Sequence, residues 1–137
     1  MSENPTRWTV GAHHVGLTVP DLAPAVRFFE EGLGFDKVGE RPDYPAAFLS
    51  DGSLLITLWQ ADTGTPIVAF DRRHNLGLHH LALRVGAPGL DALHERLAAR
   101  EDVEIEFAPQ LLGGGPTRHM MTRIPGNIRV EFIAPAG

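Results

Sequence analysis

Apolar residues along this chain alternate with polar ones in short runs, and in two places the spacing changes to that of a helix. Ala12 to Val19 is rich in β-branched residues with a period of two, which predicts a strand. Asp21 stands where a helix N-cap belongs, and Pro24 still lies within the tolerant first turn. Leu22, Ala25, Val26, Phe29 and Leu33 then recur at helical spacing, with Gly34 as the C′ stop. Phe35–Glu40, Ala46–Leu49 and Leu54–Gln60 follow as strands, separated by Pro42, Pro45 and the hairpin mark Asp51-Gly52. The first half therefore reads β-α-β-β-β. Residues 61–78, with Gly64, Pro66 and Gly77, carry few periodic apolar positions and read as a connector. The order then repeats. Leu78–Val85 is strand-like, and Pro88 at N1 opens a helix carrying Leu90, Leu93 and Leu97. Val103–Ala108, Arg118–Ile124 and Asn127–Ile133 complete the set, with a loop at 111–116 whose three glycines suit either a mobile lid or a plain turn.

The halves also match in letters. His13-His14-Val15-Gly16-Leu17-Thr18-Val19 and His79-His80-Leu81-Ala82-Leu83-Arg84-Val85 lie 66 residues apart, which points to two copies of one supersecondary unit burying a face together. Strand alternation puts Val15, Leu17 and Val19 on one face with His13, and His14, Gly16 and Thr18 on the other. In the repeat, His79, Leu81, Leu83 and Val85 oppose His80, Ala82 and Arg84. Each second face opens with a histidine followed by a small residue and is fit to line a cavity. Glu131 alternates against Val130 and Phe132, a costly place for a carboxylate that has no partner. His14, His80 and Glu131 together form a two-histidine, one-carboxylate set, which suits Fe, Mn, Ni or Zn as the divalent ion and leaves coordination positions open. His13 and His79 fall on the opposite faces, in core or edge roles.

Composition narrows the classes. With 12 Lys+Arg against 17 Asp+Glu the chain has a formal charge of −5, and it lacks the basic cluster a nucleic-acid binder would carry. Arg72, Arg73 and His74 form the densest basic spot and read as part of a solvated connector. The absence of cysteine excludes disulfides, thiolate nucleophiles and cysteine metal sites. No apolar run is long enough to cross a bilayer, and no secretory leader is visible, so a cytoplasmic location is the expectation.

The duplication, the opening HHVGLTVPDL…FFEEGLGF and the second HHLALRV resemble the vicinal oxygen chelate superfamily, which includes glyoxalase I, extradiol dioxygenases, methylmalonyl-CoA epimerases, fosfomycin-resistance transferases and bleomycin-binding proteins. The resemblance covers nearly the whole chain. It implies an α+β fold in a single domain over residues 1–137. Two paired β-α-β-β-β modules, about 10–60 and about 79–134, would form a cupped mixed sheet around a central cavity. The family's metal ligands fall on His14, His80 and Glu131, with one divalent metal per site and Glu131 doubling as the catalytic carboxylate. The fourth ligand of glyoxalase I falls on Thr57, whose hydroxyl is a poor ligand and no carboxylate base. The resemblance also implies a homodimer with sites at the subunit interface, no nucleic-acid or membrane partner, and a small oxygenated molecule as substrate. Candidate substrate contacts are Thr57, Trp59, Arg84, Arg129 and His119, the two arginines being suited to an anionic group. The expected activity is a glyoxalase-like lyase or isomerase reaction. An extradiol-type dioxygenase, a fosfomycin-resistance-like transferase and a metal-free antibiotic-binding protein are the alternatives.

Overall fold

In the computed structural model of the chain, residues 6–62 and 64–135 are described. β1 (His14–Val19), α1 (Leu22–Arg27), β2 (Asp36–Arg41), β3 (Ala46–Ser50) and β4 (Leu55–Gln60) make the first unit. β5 (Leu81–Arg84), α2 (Leu90–Ala98), β6 (Glu104–Leu111), β7 (Arg118–Ile124) and β8 (Ile128–Ala134) make the second. Each unit folds into a four-stranded mixed sheet, in the orders β1-β4-β3-β2 and β5-β8-β7-β6. In both, the first and last strands pair in parallel and the remaining neighbours pair antiparallel. The fold is the paired-module α+β architecture expected from the pattern.

The alternation read from β1 and β5 holds. Leu17, Val19 and Leu83 are buried while His14, Gly16, Thr18, Ala82 and Arg84 stay exposed. One apolar cluster unites the units, with Phe28, Leu49, Ile56 and Leu58 joined to Leu97, Met120, Val130 and Phe132. The bridge between units is polar at its rim. Arg96 donates to the carbonyls of Gly32 and Glu31 at 3.0 and 2.6 Å, and the Arg100 guanidinium lies 5.9 Å from the centre of the Phe28 ring.

Several boundaries differ from the sequence reading. α1 opens into a wide π-type turn over Phe28–Gly32, which lets the adjacent Phe28 and Phe29 both bury completely. Asp21 holds the N-cap position in extended conformation but makes no side-chain cap bond. The stop at Gly34 is as expected, with φ +78° and the αL-type bond from Gly34 N–H to Glu30 C=O, while Phe35 N–H reaches Phe29 C=O across the wide turn. Pro88 is not at N1. Gly89 follows it with φ +111°, outside the helical region, so the helix starts only at Leu90. β1 and β5 start later than read, and β6 runs on to Leu111. Pro109 is tolerated within β6 because that strand lies at the sheet edge. The glycine loop is a hairpin connection closed by Leu112 N–H to Thr117 C=O at 2.8 Å.

Candidate metal and active site

The chemistry gathers on the face of the second sheet turned away from the core. Val130 and Phe132 point into the core, so the intervening Glu131 is turned to the other side, opposite Ala82 on β5 and Met121 on β7. Glu131 is 9% exposed, and its carboxylate is held between two imidazoles. His80 Nε2 lies 3.1 Å from Oε1 and His119 Nδ1 lies 2.5 Å from Oε2. Among the described residues no guanidinium or ammonium meets it. A buried carboxylate without a fixed cation, facing ring nitrogens, is a donor set that fits a divalent ion.

Behind His80 a chain of polar contacts runs across the sheet. His79 Nδ1 and His80 Nδ1 lie 2.8 Å apart, with their rings edge-on at 5.1 Å. Arg129 Nη1 approaches both His79 Nδ1 and the His79 carbonyl at 3.3 Å. The same guanidinium grips Glu106 through two bonds of 3.1 and 3.0 Å. The Glu106 carboxyl is held below its ordinary range, mainly by the Arg129 hydrogen bonds and against the cost of burial. His79 is shifted down, first by desolvation and then by Arg129.

The first sheet repeats part of this. His13 Nδ1 and His14 Nδ1 are 2.9 Å apart, again with edge-on rings at 5.1 Å. The strand registers make Thr57, opposite Gly16, the counterpart of Glu131, opposite Ala82. The Thr57 hydroxyl accepts from Trp59 Nε1 at 2.9 Å. A Cβ on Gly16 would come within 3.2 Å of the Thr57 hydroxyl, so glycine there is what lets this pair sit against β1. Tyr44 and Phe48 flank Trp59, with ring centres at 4.9 and 6.1 Å.

The sequence-derived set is therefore brought together in part. His80, Glu131 and His119 meet. His14 stands on the other sheet, and among the described residues no three His, Asp or Glu side chains have the spacing of a metal centre. Thr57 and Trp59 form the first sheet's aromatic half. Arg129 is committed to Glu106 and His79. Arg84 borders a cavity of about 610 Å³, which is lined by Gly34, Leu83, Leu93 and Phe132 and not by His80, His119 or Glu131. The sequence reading missed two contributors. Arg72, placed in a solvated connector, approaches Glu106 at 3.9 Å and lines a small polar cavity with Arg123 and Arg129. Tyr44 carried no signal beyond being an aromatic residue in a turn.

With this geometry in view, the comparisons place the chain in a class. Residues 13–119 match the profile of the Glyoxalase/Bleomycin resistance protein/Dioxygenase superfamily, and the chain belongs to that superfamily. Among its relatives is a 2-epi-5-epi-valiolone epimerase from Actinomyces sp., 30% identical, matched over 93% of this chain and 81% of the relative. A solved glyoxylase/bleomycin resistance protein/dioxygenase domain from Frankia sp. is 31% identical, with a TM-score of 0.79 over 93% of this chain and 99% of that one. The fosfomycin resistance protein FosX from Listeria monocytogenes shares the fold at 20% identity, with a TM-score of 0.74 over 93% of this chain and 94% of that one. It was crystallised as a Glu-to-Gln variant with Mn(II) and 1S,2S-dihydroxypropylphosphonic acid.

Proposed function

We propose that the protein is a divalent-metal-dependent isomerase that epimerises a carbon beside the carbonyl of a small polyhydroxylated ketone. The observation that carries this reading is the Glu131 carboxylate, buried between His80 and His119 with no fixed cation of its own. His80 and Glu131 would hold the ion together with His14, supplied by a second copy of the chain. A bound ion supplies Lewis-acid stabilisation of negative charge developing on a substrate oxygen.

The chain's own residues account for the rest. His119 is fixed by its Nδ1 contact to Glu131, which leaves Nε2 to take the proton from the carbon beside the carbonyl and to release it to solvent. As the C–H bond breaks, its electron pair moves into the carbonyl to form an enediolate, and a proton delivered from solvent water to the opposite face of that carbon completes the epimerisation. Thr57 and Trp59 would wall the opposite side. The 30% identity to a named epimerase supports isomerase over lyase chemistry. Assembly as a dimer is supported by the exposed apolar residues of the N-terminal segment and the connector, Trp8, Val10, Val68 and Leu76.

A fosfomycin-type reaction is the second reading. It is favoured by Thr57, an uncharged residue standing where a second carboxylate base would be. Two measurements test the proposal. Elemental analysis of wild type and His80→Ala is expected to give about one metal per chain, lost in the variant. Incubation with 2-epi-5-epi-valiolone in D₂O is expected to give deuterium at the carbon beside the carbonyl. Metal without exchange, but with turnover of an epoxide, would move the protein to the second reading. Wild type that stays empty after incubation with iron, manganese, nickel and zinc would remove the enzyme reading in favour of a metal-free binder.

A further inference from the structure

We propose that the cavity between the two units is a second binding site, which takes a small organic monocarboxylate with an apolar body. Its volume of about 610 Å³ lies within the roughly 300–1,000 Å³ of small-molecule sites. Both units build it. Residues 32–35 and Asp51 supply one side, and residues 83–89 with α2 supply the other. The floor is apolar, because Phe35, Leu83 and Phe132 are buried core residues and Leu93 of α2 packs against the same cluster. Small residues keep the rim low. Gly34, Gly86 and Gly89 line it, and a Cβ on any of them would meet nothing within 4 Å. His80, His119 and Glu131 lie outside the lining, so a ligand held here owes nothing to the metal reading.

Charge selects the ligand. Arg84 and Arg96 both line the cavity, and among the described residues neither meets a carboxylate. Arg96 spends two of its nitrogens on the uncharged carbonyls of Gly32 and Glu31, at 3.0 and 2.6 Å, so its charge is not compensated. Arg84 is exposed at the rim, and among the described residues its guanidinium has no hydrogen-bond partner. Asp51 is the lining carboxylate, and its Oδ1 is taken by the N–H groups of Ser53 and Leu54 at 2.8 and 2.7 Å. Two guanidiniums against one aspartate leave a single positive charge, which matches a monoanion better than a phosphate dianion. The planar fork of Arg84 matches a carboxylate in particular.

The probe is benzoate, with benzyl alcohol as its uncharged counterpart. The backbone amides of Gly34, Gly86 and Gly89 serve as reporters in ¹H–¹⁵N spectra. Saturable shifts of these amides are expected with benzoate, at about tenfold lower concentration than with benzyl alcohol. Arg84→Gln removes the charge but keeps a polar side chain. It is expected to weaken benzoate about tenfold and to leave benzyl alcohol unchanged. Ala92→Phe puts a ring over the cavity from an exposed position of α2 and is expected to abolish both, with a folded spectrum. The proposal is overturned if the reporters do not move, or if the shifts gather around His80 and Glu131 instead. Benzoate bound as tightly by Arg84→Gln as by wild type would overturn it too. Reporters that move with protein concentration before any probe is added would give the cavity to a second copy of the chain, again overturning it.

Discussion

Glu106 shows how much a single residue of this sheet is asked to do. Its carboxylate faces Arg129 at 3.0 and 3.1 Å, Arg123 at 3.5 Å and Arg72 at 3.9 Å. Removing it leaves Arg129 nine-tenths buried without its partner, the situation in which a lost charge pair is most destabilising. Glu106→Gln is expected to lower stability by about 1–3 kcal/mol at neutral pH, read by urea unfolding. The sign with pH follows from the lowered carboxyl value. The stabilisation is fully present above the ordinary 4.5 and is lost as pH falls through the lower folded value, so wild type and variant should converge in acid. A difference that persists unchanged at low pH would mean that Glu106 acts through packing rather than charge. At this scale the sequence revealed which positions face away from the core, because strand alternation alone places His14, His80 and Glu131. It did not reveal that His119 clamps Glu131. That contact depends on β7 pairing beside β8 with His119 opposite Ile133, a register not written in either strand. Nor did it assign Arg129 to Glu106, since the two lie 23 residues apart in sequence.

Among the elements, the strands were legible where pattern and turn chemistry agreed, and the helices only in part. Asp51-Gly52 behaves as its letters suggest. Gly52 takes φ +92° and Asp51 Oδ1 accepts from the N–H groups of Ser53 and Leu54. Around Phe28 the pattern misled, because a period of 3.6 residues separates neighbours by about 100°, whereas the wide turn there buries Phe28 and Phe29 side by side. That turn ends at Gly34, where open space surrounds the missing Cβ and only the backbone conformation selects glycine. Gly34→Ala is therefore expected to cost about 1 kcal/mol, through φ alone and with no change in the packed contacts. Leu97 on α2 is the contrasting case. It is fully buried in the cluster that joins the units, and Leu97→Ala should cost about 2–5 kcal/mol. Thermal unfolding of both variants would rank them, and a Gly34→Ala cost equal to that of Leu97→Ala would show that the stop at Gly34 organises the whole first unit.

At the scale of the molecule, the candidate residues divide between the two sheets. The first carries His14 and an aromatic wall, and the second carries His80, His119 and Glu131. Yet among the described residues these halves do not close into a metal centre within one chain. On the proposed assembly, two copies exchange halves, so that each site takes His14 from one subunit and His80 with Glu131 from the other. This arrangement makes a prediction that a site within one chain cannot match. His14→Ala and His80→Ala should each abolish metal-dependent activity when alone. Unfolded and refolded together in equal amounts, half of the resulting dimers combine one chain of each kind. In such a dimer one site carries both substitutions and the other carries neither, so activity should return to roughly a quarter of the wild-type value. A site contained within one chain would leave every combination inactive, since no subunit in the mixture has both histidines. Size-exclusion chromatography on the same mixture would show whether dimers had formed at all. A dimer without recovery would return His14 and His80 to one subunit's site, whereas a His14→Ala chain that stays active alone would place the third ligand on the second unit, where His119 already touches Glu131.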